Sequence, residues 1–314
     1  MTGKRSSGGN AARGALLVLL GIASPVALAA QVGAGGNAYP VDLCPSCAEW
    51  NAPQPPFRVF GNTYYVGTRG LGVILITSDQ GHVLIDGALP ESAAAIGANV
   101  TALGFRIEDV KLILNSHAHF DHAGGIAALQ RASGAPVAAS PASAPVLGTG
   151  KTTPSDPQHG LALSFPPVPT IRVLSDGDTL RVGPVALVAH FTPGHTPGGT
   201  SWSWRSCEGE RCVALVYADS QTPVSADNFY FTRSTAYPSA IADFERSFTL
   251  IEQLQCDVLL TPHPGASGLW ERLAVRDREA SDGLIDADGC RRYVASARSR
   301  LARRIATERE ATPR

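Results

Sequence analysis

The chain has 314 residues, of which 44% are hydrophobic and 17% are charged, and its formal net charge is −1 at pH 7. This length suits one large α/β domain or two small ones, and the apolar fraction supports a sizeable core. The balanced charge excludes the basic excess that nucleic-acid binding needs, and we see no acidic tail.

The first 29 residues have the layout of a secretory signal peptide. A positive head precedes an apolar core at residues 15–20 and a small-x-small cleavage site at residues 27–29. A transmembrane anchor needs about 20 apolar residues, and Gly21, Ser24 and Pro25 interrupt this run sooner. We therefore expect cleavage near Ala30, a periplasmic chain without a membrane anchor, and an irregular leader over residues 30–56.

The six cysteines agree with export, because an even count in an exported chain is typical of disulfides. Proximity in the sequence favours three pairs: Cys44–Cys47, Cys207–Cys212 and Cys256–Cys290. The alternative for Cys44 and Cys47 is a thioredoxin-type redox role. That role normally needs a strand before the motif and a helix after it, and the sequence of the leader predicts neither element.

Strands and helices alternate along the rest of the chain. Up to residue 140 the pattern predicts strands at 57–66, 72–77, 82–86, 110–114 and 136–139, and helices at 92–105 and 126–131. Residues 141–170 are rich in proline and are expected to form a loop over the site with one short helix. Further strands are predicted at 171–174, 179–182, 185–191, 200–204, 213–217 and 257–261, and helices at 239–254 and 291–306.

The two runs of strands, each with its own helices, predict two β-sheets packed face to face with helices outside. The last helix is basic and amphipathic, which is also typical of membrane binding. Its apolar face is weak, so we expect it to dock on its own domain instead.

A cluster of metal-binding residue types follows the strand predicted at 110–114. It contains His117, His119, Asp121 and His122. In an extended stretch His117 and His119 project to the same side, so they can bind one ion. Asp121 and His122 lie where the chain turns and can bind a second. Zinc accepts both histidine and aspartate, so the motif predicts a zinc site.

Two further histidines follow predicted strands and are flanked by prolines and glycines. They are His195, within residues 192–199, and His263, within residues 261–264. A rigid turn of this kind can present an imidazole to a metal. Together the six residues give two sets of three ligands, which leaves each ion open to water, as in catalytic zinc sites. His82, His159 and His190 match no motif.

These motifs resemble the metallo-β-lactamase superfamily. They are His-Ala-His-Phe-Asp-His at 117–122, Pro-Gly-His-Thr-Pro-Gly-Gly at 193–199, Tyr-Ala-Asp-Ser at 217–220 and Pro-His at 262–263. More narrowly, His117, Ser220 and residues 61–68 resemble the subclass B3 metallo-β-lactamases. The resemblance runs from about residue 51 to the C-terminal helix.

The resemblance implies an α/β fold over residues 57–314, an αββα sandwich of two mixed β-sheets with helices on the outer faces. It implies two zinc ions per chain, the first on His117, His119 and His195 and the second on Asp121, His122 and His263. The catalytic residues it implies are Asp121 and Ser220. The residues it implies for substrate binding are Ser220, Thr222 and Gln158.

The implied reaction is hydrolysis of the β-lactam amide bond of penicillins, cephalosporins and carbapenems by a zinc-bound hydroxide, which confers antibiotic resistance. Zinc lowers the pKa of its water to about 7, so this nucleophile exists at neutral pH. Asp121 is expected to orient the nucleophile, and Ser220 to donate a hydrogen bond near the second zinc. We expect a monomer whose partner is a small-molecule β-lactam.

Two alternatives remain open. One is another di-zinc hydrolase of the same fold, a glyoxalase II-type thioesterase or a lactonase. Those enzymes resemble this chain at all six ligands but add an aspartate that bridges both metals, and Asp219 is the candidate. In a lactamase Asp219 is expected to point into the protein instead. The other alternative, a zinc-sequestering protein without turnover, fits poorly with ligand sets that leave positions open.

Overall fold

The computed structural model describes residues 1–4, 39–40, 42–279 and 282–311. The chain divides into two compact units, Met1–Ala34 and Gly35–Arg314. In the first unit, residues 1–4 form neither helix nor strand, and the rest of the predicted signal peptide lies outside the described residues. Across the described ranges, no helix is both long and apolar enough to cross a membrane.

The first β-sheet is mixed and its seven strands lie side by side in chain order. They are β1 Phe57–Phe60, β2 Thr63–Tyr65, β3 Ile74–Ile76, β4 His82–Ile85, β5 Val110–Leu114, β6 Val137–Ala139 and β7 Ile171–Val173. Strands β1 to β4 pair antiparallel. Strands β4 to β7 pair parallel.

The second sheet has five strands in the order β12-β11-β10-β9-β8. They are β8 Thr179–Val182, β9 Val185–Phe191, β10 Thr200–Glu208, β11 Arg211–Tyr217 and β12 Val258–Leu260. Their pairs are antiparallel except for the parallel pair of β11 and β12. Because two antiparallel steps separate β9 from β11, the strands β9, β11 and β12 run the same way and end at one edge of the sheet.

Eight helices lie before, between and after these strands in the described residues. They are α1 Cys47–Trp50, α2 Ser92–Ala102, α3 Phe120–Ala123, α4 Ile126–Ser133, α5 Ser143–Thr149, α6 Ala240–Gln253, α7 Leu269–Glu279 and α8 Gly289–Glu310. Short 3-10 turns lie at Ile107–Asp109 and Pro264–Ser267.

The main core lies between the two sheets, because successive side chains of a strand point to opposite faces. In β3, Ile74 and Ile76 belong to the cluster that also holds Trp202 and Leu215 of the second sheet. Leu75, between them, faces the other way and joins a cluster with α2, α4 and α5. Strand β3 is therefore buried on both faces, which explains its continuous apolar sequence.

A third cluster covers the outer face of the second sheet. It joins Val216 of β11 to Phe244 and Phe248 of α6 and to Val294 and Leu301 of α8. Fully burying such an apolar side chain stabilises the fold by about 1.5–3 kcal/mol. The amphipathic C-terminal helix thus docks on its own domain, and the predicted αββα sandwich of two mixed sheets is confirmed.

The strand predicted at residues 57–66 is wrong as a single element. It is a hairpin of β1 and β2 that turns at Gly61, whose φ is +51°. A Cβ at this glycine would lie 2.6 Å from the carbonyl oxygen of Cys207, so a larger residue does not fit. The sequence pattern also missed α7, and α2 ends at Ala102, earlier than predicted.

Three disulfides use all six cysteines, in the pairs that sequence proximity favours. Cys44–Cys47 lies in the leader beside α1. Cys207–Cys212 joins residues that face each other in the hairpin of β10 and β11. Cys256–Cys290 ties the segment before β12 to the first turn of α8.

Candidate active site

The metal-binding motif occupies the turn between β5 and α4. Strand β5 ends at Leu114, and residues 115–119 continue without regular structure into α3. His119 precedes α3 with extended backbone, whereas Asp121 and His122 lie inside this helical turn. The loops after β9 and β12 carry His195 and His263 to the same place, as the distances below show. The strand order therefore builds the site from segments that are far apart in the sequence.

Asp86, at the end of β4, holds the start of this loop in position. Its carboxylate accepts hydrogen bonds from the Ser116 amide at 2.7 Å, the Ser116 hydroxyl at 2.6 Å and the Tyr217 hydroxyl at 2.8 Å. The Asn115 amide group donates a fourth at 3.2 Å. Burial raises the pKa of Asp86 to about 6, although these donors favour its charged form. No motif in the sequence indicates this support.

His117, His119 and His195 form the first set of candidate metal-binding residues. Their ring centroids are 4.8–5.1 Å apart. One ring nitrogen of each lies within 4.8 Å of the others. Nε2 of His117 is buried and has no hydrogen-bond partner among the described residues. An orphaned buried nitrogen is costly unless it binds something, and a metal ion satisfies it.

Each of these three rings donates its other N–H to an acceptor behind it. The bonds are His117 Nδ1 to Asp219 Oδ1 at 2.7 Å, His119 Nε2 to Asp156 Oδ2 at 2.9 Å, and His195 Nδ1 to the Thr222 carbonyl at 2.8 Å. These bonds fix the tautomers, so the lone pairs lie on the nitrogens that face one another. Histidine ligands of metals almost always carry such outer partners.

Burial keeps two of these imidazoles neutral. It lowers the pKa of His117 well below its usual range, and the neighbouring His122 and His119 lower it further. Burial also lowers the pKa of His195 to about 3. For His119 burial works in the same direction, but the carboxylates of Asp156, Asp121 and Asp219 together outweigh it and raise the pKa. A histidine must be neutral to bind a metal ion, so His117 and His195 are ready to bind at neutral pH.

Asp121, His122 and His263 form the second candidate set, and the spacing of their donor atoms is compatible with a tetrahedral zinc site. Asp121 Oδ2, His122 Nε2 and His263 Nε2 are each 3.2 Å from the other two. Ligands about 2.0 Å from a tetrahedral zinc ion lie about 3.3 Å from each other. The residues therefore fit zinc. Donor atoms of His117, Asp121 and His122 also lie within 4.8 Å of one another, so the two sets adjoin.

Asp121 is charged in this site. Burial opposes its charged form, but His122 and His263 outweigh burial and hold the pKa of Asp121 well below its usual range. The second set therefore brings a negative ligand, and the first is neutral. A carboxylate beside a divalent ion is favourable in the buried interior.

Asp219 lies behind His117, and its Oδ2 has no hydrogen-bond partner among the described residues. Its side chain is fully buried. Its Oδ1 accepts a hydrogen bond from the Nδ1–H of His117, whose other ring nitrogen, Nε2, faces the site. Burial raises the pKa of Asp219 to about 7. A carboxylate in this position orients His117, whereas a bridging aspartate would have to face the nitrogens of both sets.

Two of the three residues expected to meet the substrate, Gln158 and Thr222, lie beside histidines of the first set. The amide nitrogen of Gln158 is 3.3 Å from His195 Nε2 and 3.5 Å from His119 Nδ1. The Thr222 hydroxyl is 3.2 Å from His195 Nδ1. The Ser220 hydroxyl, which follows β11, makes no hydrogen bond to the described residues. Their roles toward a substrate stay predictions.

Sequence reasoning missed three residues that build the site. Asp86 and Asp156 are carboxylates that no motif marks, and Trp50 lies with its ring centroid 5.2 Å from that of His263. Asp156 is 37 positions from His119 along the chain. The one feature of the sequence that could have indicated Asp156 is its position in the proline-rich stretch predicted to lie over the site.

Comparisons with known proteins agree with this geometry. The family model described as "Metallo-beta-lactamase superfamily" matches residues 72–208. The solved structure of the Rm3 metallo-beta-lactamase is 57% identical, covers 85% of this chain and 99% of its own, and has a TM-score of 0.84. MEM-A1, a subclass B3 metallo-beta-lactamase from a soil metagenome library, is 49% identical over 84% of this chain and 100% of its own, with a TM-score of 0.82.

A curated relative with another activity is similar over a shorter stretch. The hydroxyacylglutathione hydrolase of Anaeromyxobacter dehalogenans (strain 2CP-C) is 32% identical over 130 residues, which are 41% of this chain and 40% of the hydrolase. The chain thus spans two fifths of that relative's length, but nearly all of the two lactamase structures. It is a member of the metallo-β-lactamase superfamily and, within it, of subclass B3.

Proposed function

We propose that the chain is a metallo-β-lactamase that hydrolyses the β-lactam amide bond of penicillins, cephalosporins and carbapenems, and so confers antibiotic resistance. The observation that carries the proposal is the first set of ligands. Each of its three histidines has a fixed outer partner and an inward-facing nitrogen. The 57% identity to Rm3 over 99% of that enzyme supports the substrate class.

Two zinc ions per chain are part of the proposal. The first binds His117, His119 and His195, and the second binds Asp121, His122 and His263. The 3.2 Å spacing of donor atoms in the second set supports the second ion. With three protein ligands each, both ions keep positions open for water and substrate.

In the reaction, a C–O bond forms at the lactam carbonyl, the C–N bond breaks, and the departing nitrogen takes up a proton. When bound, zinc lowers the pKa of a coordinated water to about 7 and polarises the carbonyl. Asp121 is charged at neutral pH, so its carboxylate accepts a hydrogen bond from the attacking water and orients it. A carboxylate that accepts this proton can deliver it to the nitrogen.

Three polar side chains position the substrate. The Gln158 amide lies next to the inward nitrogens of His119 and His195. From there its N–H can donate to an oxygen of the substrate. The Ser220 hydroxyl is free of protein partners among the described residues, so it can donate to the substrate carboxylate. Thr222 adds a hydroxyl and also supports His195.

The competing function is that of a glyoxalase II-type thioesterase or a lactonase. This function is favoured by the similarity to the hydroxyacylglutathione hydrolase, which extends over 130 residues. The bond between Asp219 Oδ1 and His117 Nδ1 argues against it, because Asp219 is then used behind the ligand and not between the metals.

A substrate panel separates these functions. The mature protein is assayed against nitrocefin, a carbapenem, S-lactoylglutathione and a homoserine lactone. We expect kcat/KM for the two lactams to exceed that for the other substrates by about 100-fold or more. His119→Ala should lose lactam turnover, and His159→Ala, a loop histidine outside both sets, should keep it. Turnover of S-lactoylglutathione without lactam turnover would overturn the proposal.

The mature chain is further proposed to be a periplasmic monomer, exported by the signal peptide at residues 1–29 and cleaved near Ala30. Residues 30–56 would then be a leader and residues 57–314 the catalytic domain. Disulfides persist in oxidising compartments, so three of them support export. N-terminal sequencing and light scattering of the periplasmic protein test these points.

A further inference from the structure

Five of the six proposed zinc ligands are enclosed by protein, and His263 is not. The side chain of His263 is 35% exposed, whereas that of Asp121 is 9% exposed and that of His122 is 1% exposed. The three histidines of the first set are also buried. The orientation of an enclosed ring is fixed by its neighbours, and an exposed ring needs another constraint.

The ring of His263 also lacks the outer hydrogen bond that fixes the first set. Its Nε2 faces Asp121 and His122, and none of the described residues bonds to its Nδ1. His122 Nδ1 has no partner either, but that ring is packed on all sides. Rotation about the outer bond of a histidine side chain is broad. Hydrogen bonding therefore does not hold the His263 ring in its metal-binding orientation.

An aromatic contact takes the place of that hydrogen bond. The Trp50 ring lies 5.2 Å from the His263 ring between centroids, with the planes inclined at 52°. The same indole is 6.4 Å from Phe120, the neighbour of Asp121 in the metal loop. Aromatic rings at such distances attract each other beyond the effect of area burial. Contact with the Trp50 ring therefore limits the rotation of the His263 ring.

Trp50 can do this because its own backbone is fixed. Its carbonyl accepts hydrogen bonds from the Thr68 hydroxyl at 2.7 Å and the Gly70 amide at 3.0 Å. A Cβ on Gly70 would lie 2.5 Å from Trp50 Cα, so the glycine permits this close packing. The Cys44–Cys47 disulfide closes the turn that leads into α1, which ends at Trp50.

We infer that Trp50 is a positioning residue for His263, and that the affinity of the second zinc ion depends on this leader residue. The inference rests on the proposed function, because it takes His263 as a zinc ligand. It adds that the leader belongs to the metal site, although it lies outside the predicted catalytic domain.

The test measures the affinity of each zinc ion by titration with a competing chelator, together with thermal unfolding. The mature Trp50→Ala protein should bind one of the two ions about tenfold more weakly, at the lower end of the range for outer partners of metal ligands. The other ion should bind as in the wild type. Trp50→Phe keeps an aromatic ring and should restore most of the lost affinity.

Phe105→Ala is the matched control. Phe105 is half-buried like Trp50, and its ring is also 5.2 Å from a histidine, but that histidine is His82, outside the site. This variant should lose stability and keep both zinc affinities. Equal affinities in folded Trp50→Ala and the wild type would overturn the inference. So would a loss shared by both ions, which indicates a general structural effect.

If the proposed function is wrong, the experiment gives a different result from the one that contradicts the role of Trp50. If the wild type binds fewer than two ions, or if His263→Ala keeps both with unchanged affinity, His263 is not a ligand. The ligand assignment is then wrong, whatever Trp50 does.

Discussion

At the scale of single residues, the site depends on where each imidazole keeps its proton. His117, His119 and His195 each use one nitrogen for an acceptor behind the ring, which leaves the lone pair of the other facing inward. The tautomer is therefore decided by residues that do not touch the metal. Such residues typically change metal affinity by about 10–100-fold when they are replaced.

The first prediction concerns Asp219. Asp219→Ala should weaken the ion held by His117 by about 10–100-fold and lower turnover accordingly, while the fold persists. Asp219→Asn, which keeps an acceptor oxygen for the His117 N–H, should lose less. Zinc content after dialysis and the temperature of unfolding are measured for both variants.

Ser220→Ala is the control for this series because it changes the adjacent residue. It should keep both ions and much of the turnover, since one hydrogen bond contributes about 0.5–1.5 kcal/mol. A well-folded Asp219→Ala that loses both ions together would show that Asp219 bridges them. That result would favour the thioesterase or lactonase function.

At the scale of elements, the C-terminal helix supports the site from outside the second sheet. The Tyr293 hydroxyl of α8 donates to the Asp219 carbonyl at 2.8 Å and accepts from the Gln221 amide at 3.0 Å. These two bonds fix the backbone on both sides of Ser220. Docking of α8 therefore has a consequence for the site as well as for the core.

The second prediction concerns the disulfide that anchors this helix. Replacing Cys256 and Cys290 by serine should lower the free energy of unfolding by about 2–4 kcal/mol, because the bond closes the longest loop of the three. Its cysteines are 34 positions apart, against 5 for Cys207–Cys212. Denaturant unfolding at constant zinc concentration measures the change. The Cys207→Ser and Cys212→Ser double variant is the control and should lose less, and a larger loss there would contradict the loop argument.

At the scale of the whole molecule, the two proposed zinc ions would join segments that the chain brings together from both sheets. Residues 115–122 come from the first sheet, and His195 and His263 follow strands of the second. An ion that binds only the folded state stabilises it by about 4 kcal/mol when its free concentration is 1,000 times the Kd.

The third prediction follows from that linkage. A strong chelator should abolish turnover and lower the temperature of unfolding, and added zinc should restore both. Clavulanate-type inhibitors, which react with a serine nucleophile, should have no effect. Turnover that survives while elemental analysis finds no zinc would contradict a mechanism in which the metal supplies the nucleophile.

The sequence by itself determined whatever depends on local spacing. Side chains two apart in an extended stretch share one side, so His117 and His119 were placed together. Turns rich in proline and glycine marked His195 and His263. Largely apolar runs marked the strands β5 and β9, whose bounds are as predicted. These features depend on neighbours within a few residues.

Only the tertiary structure decided which groups support the ligands. Asp219 and His117 are 102 positions apart, and Asp156 and His119 are 37 apart. Trp50 contacts His263 although the two residues are far apart in the sequence. Such contacts depend on the order of strands in two sheets and on the paths of the loops at one edge. Spacing within a segment carries no information about them, because burial and hydrogen bonding are set by segments that meet only after folding.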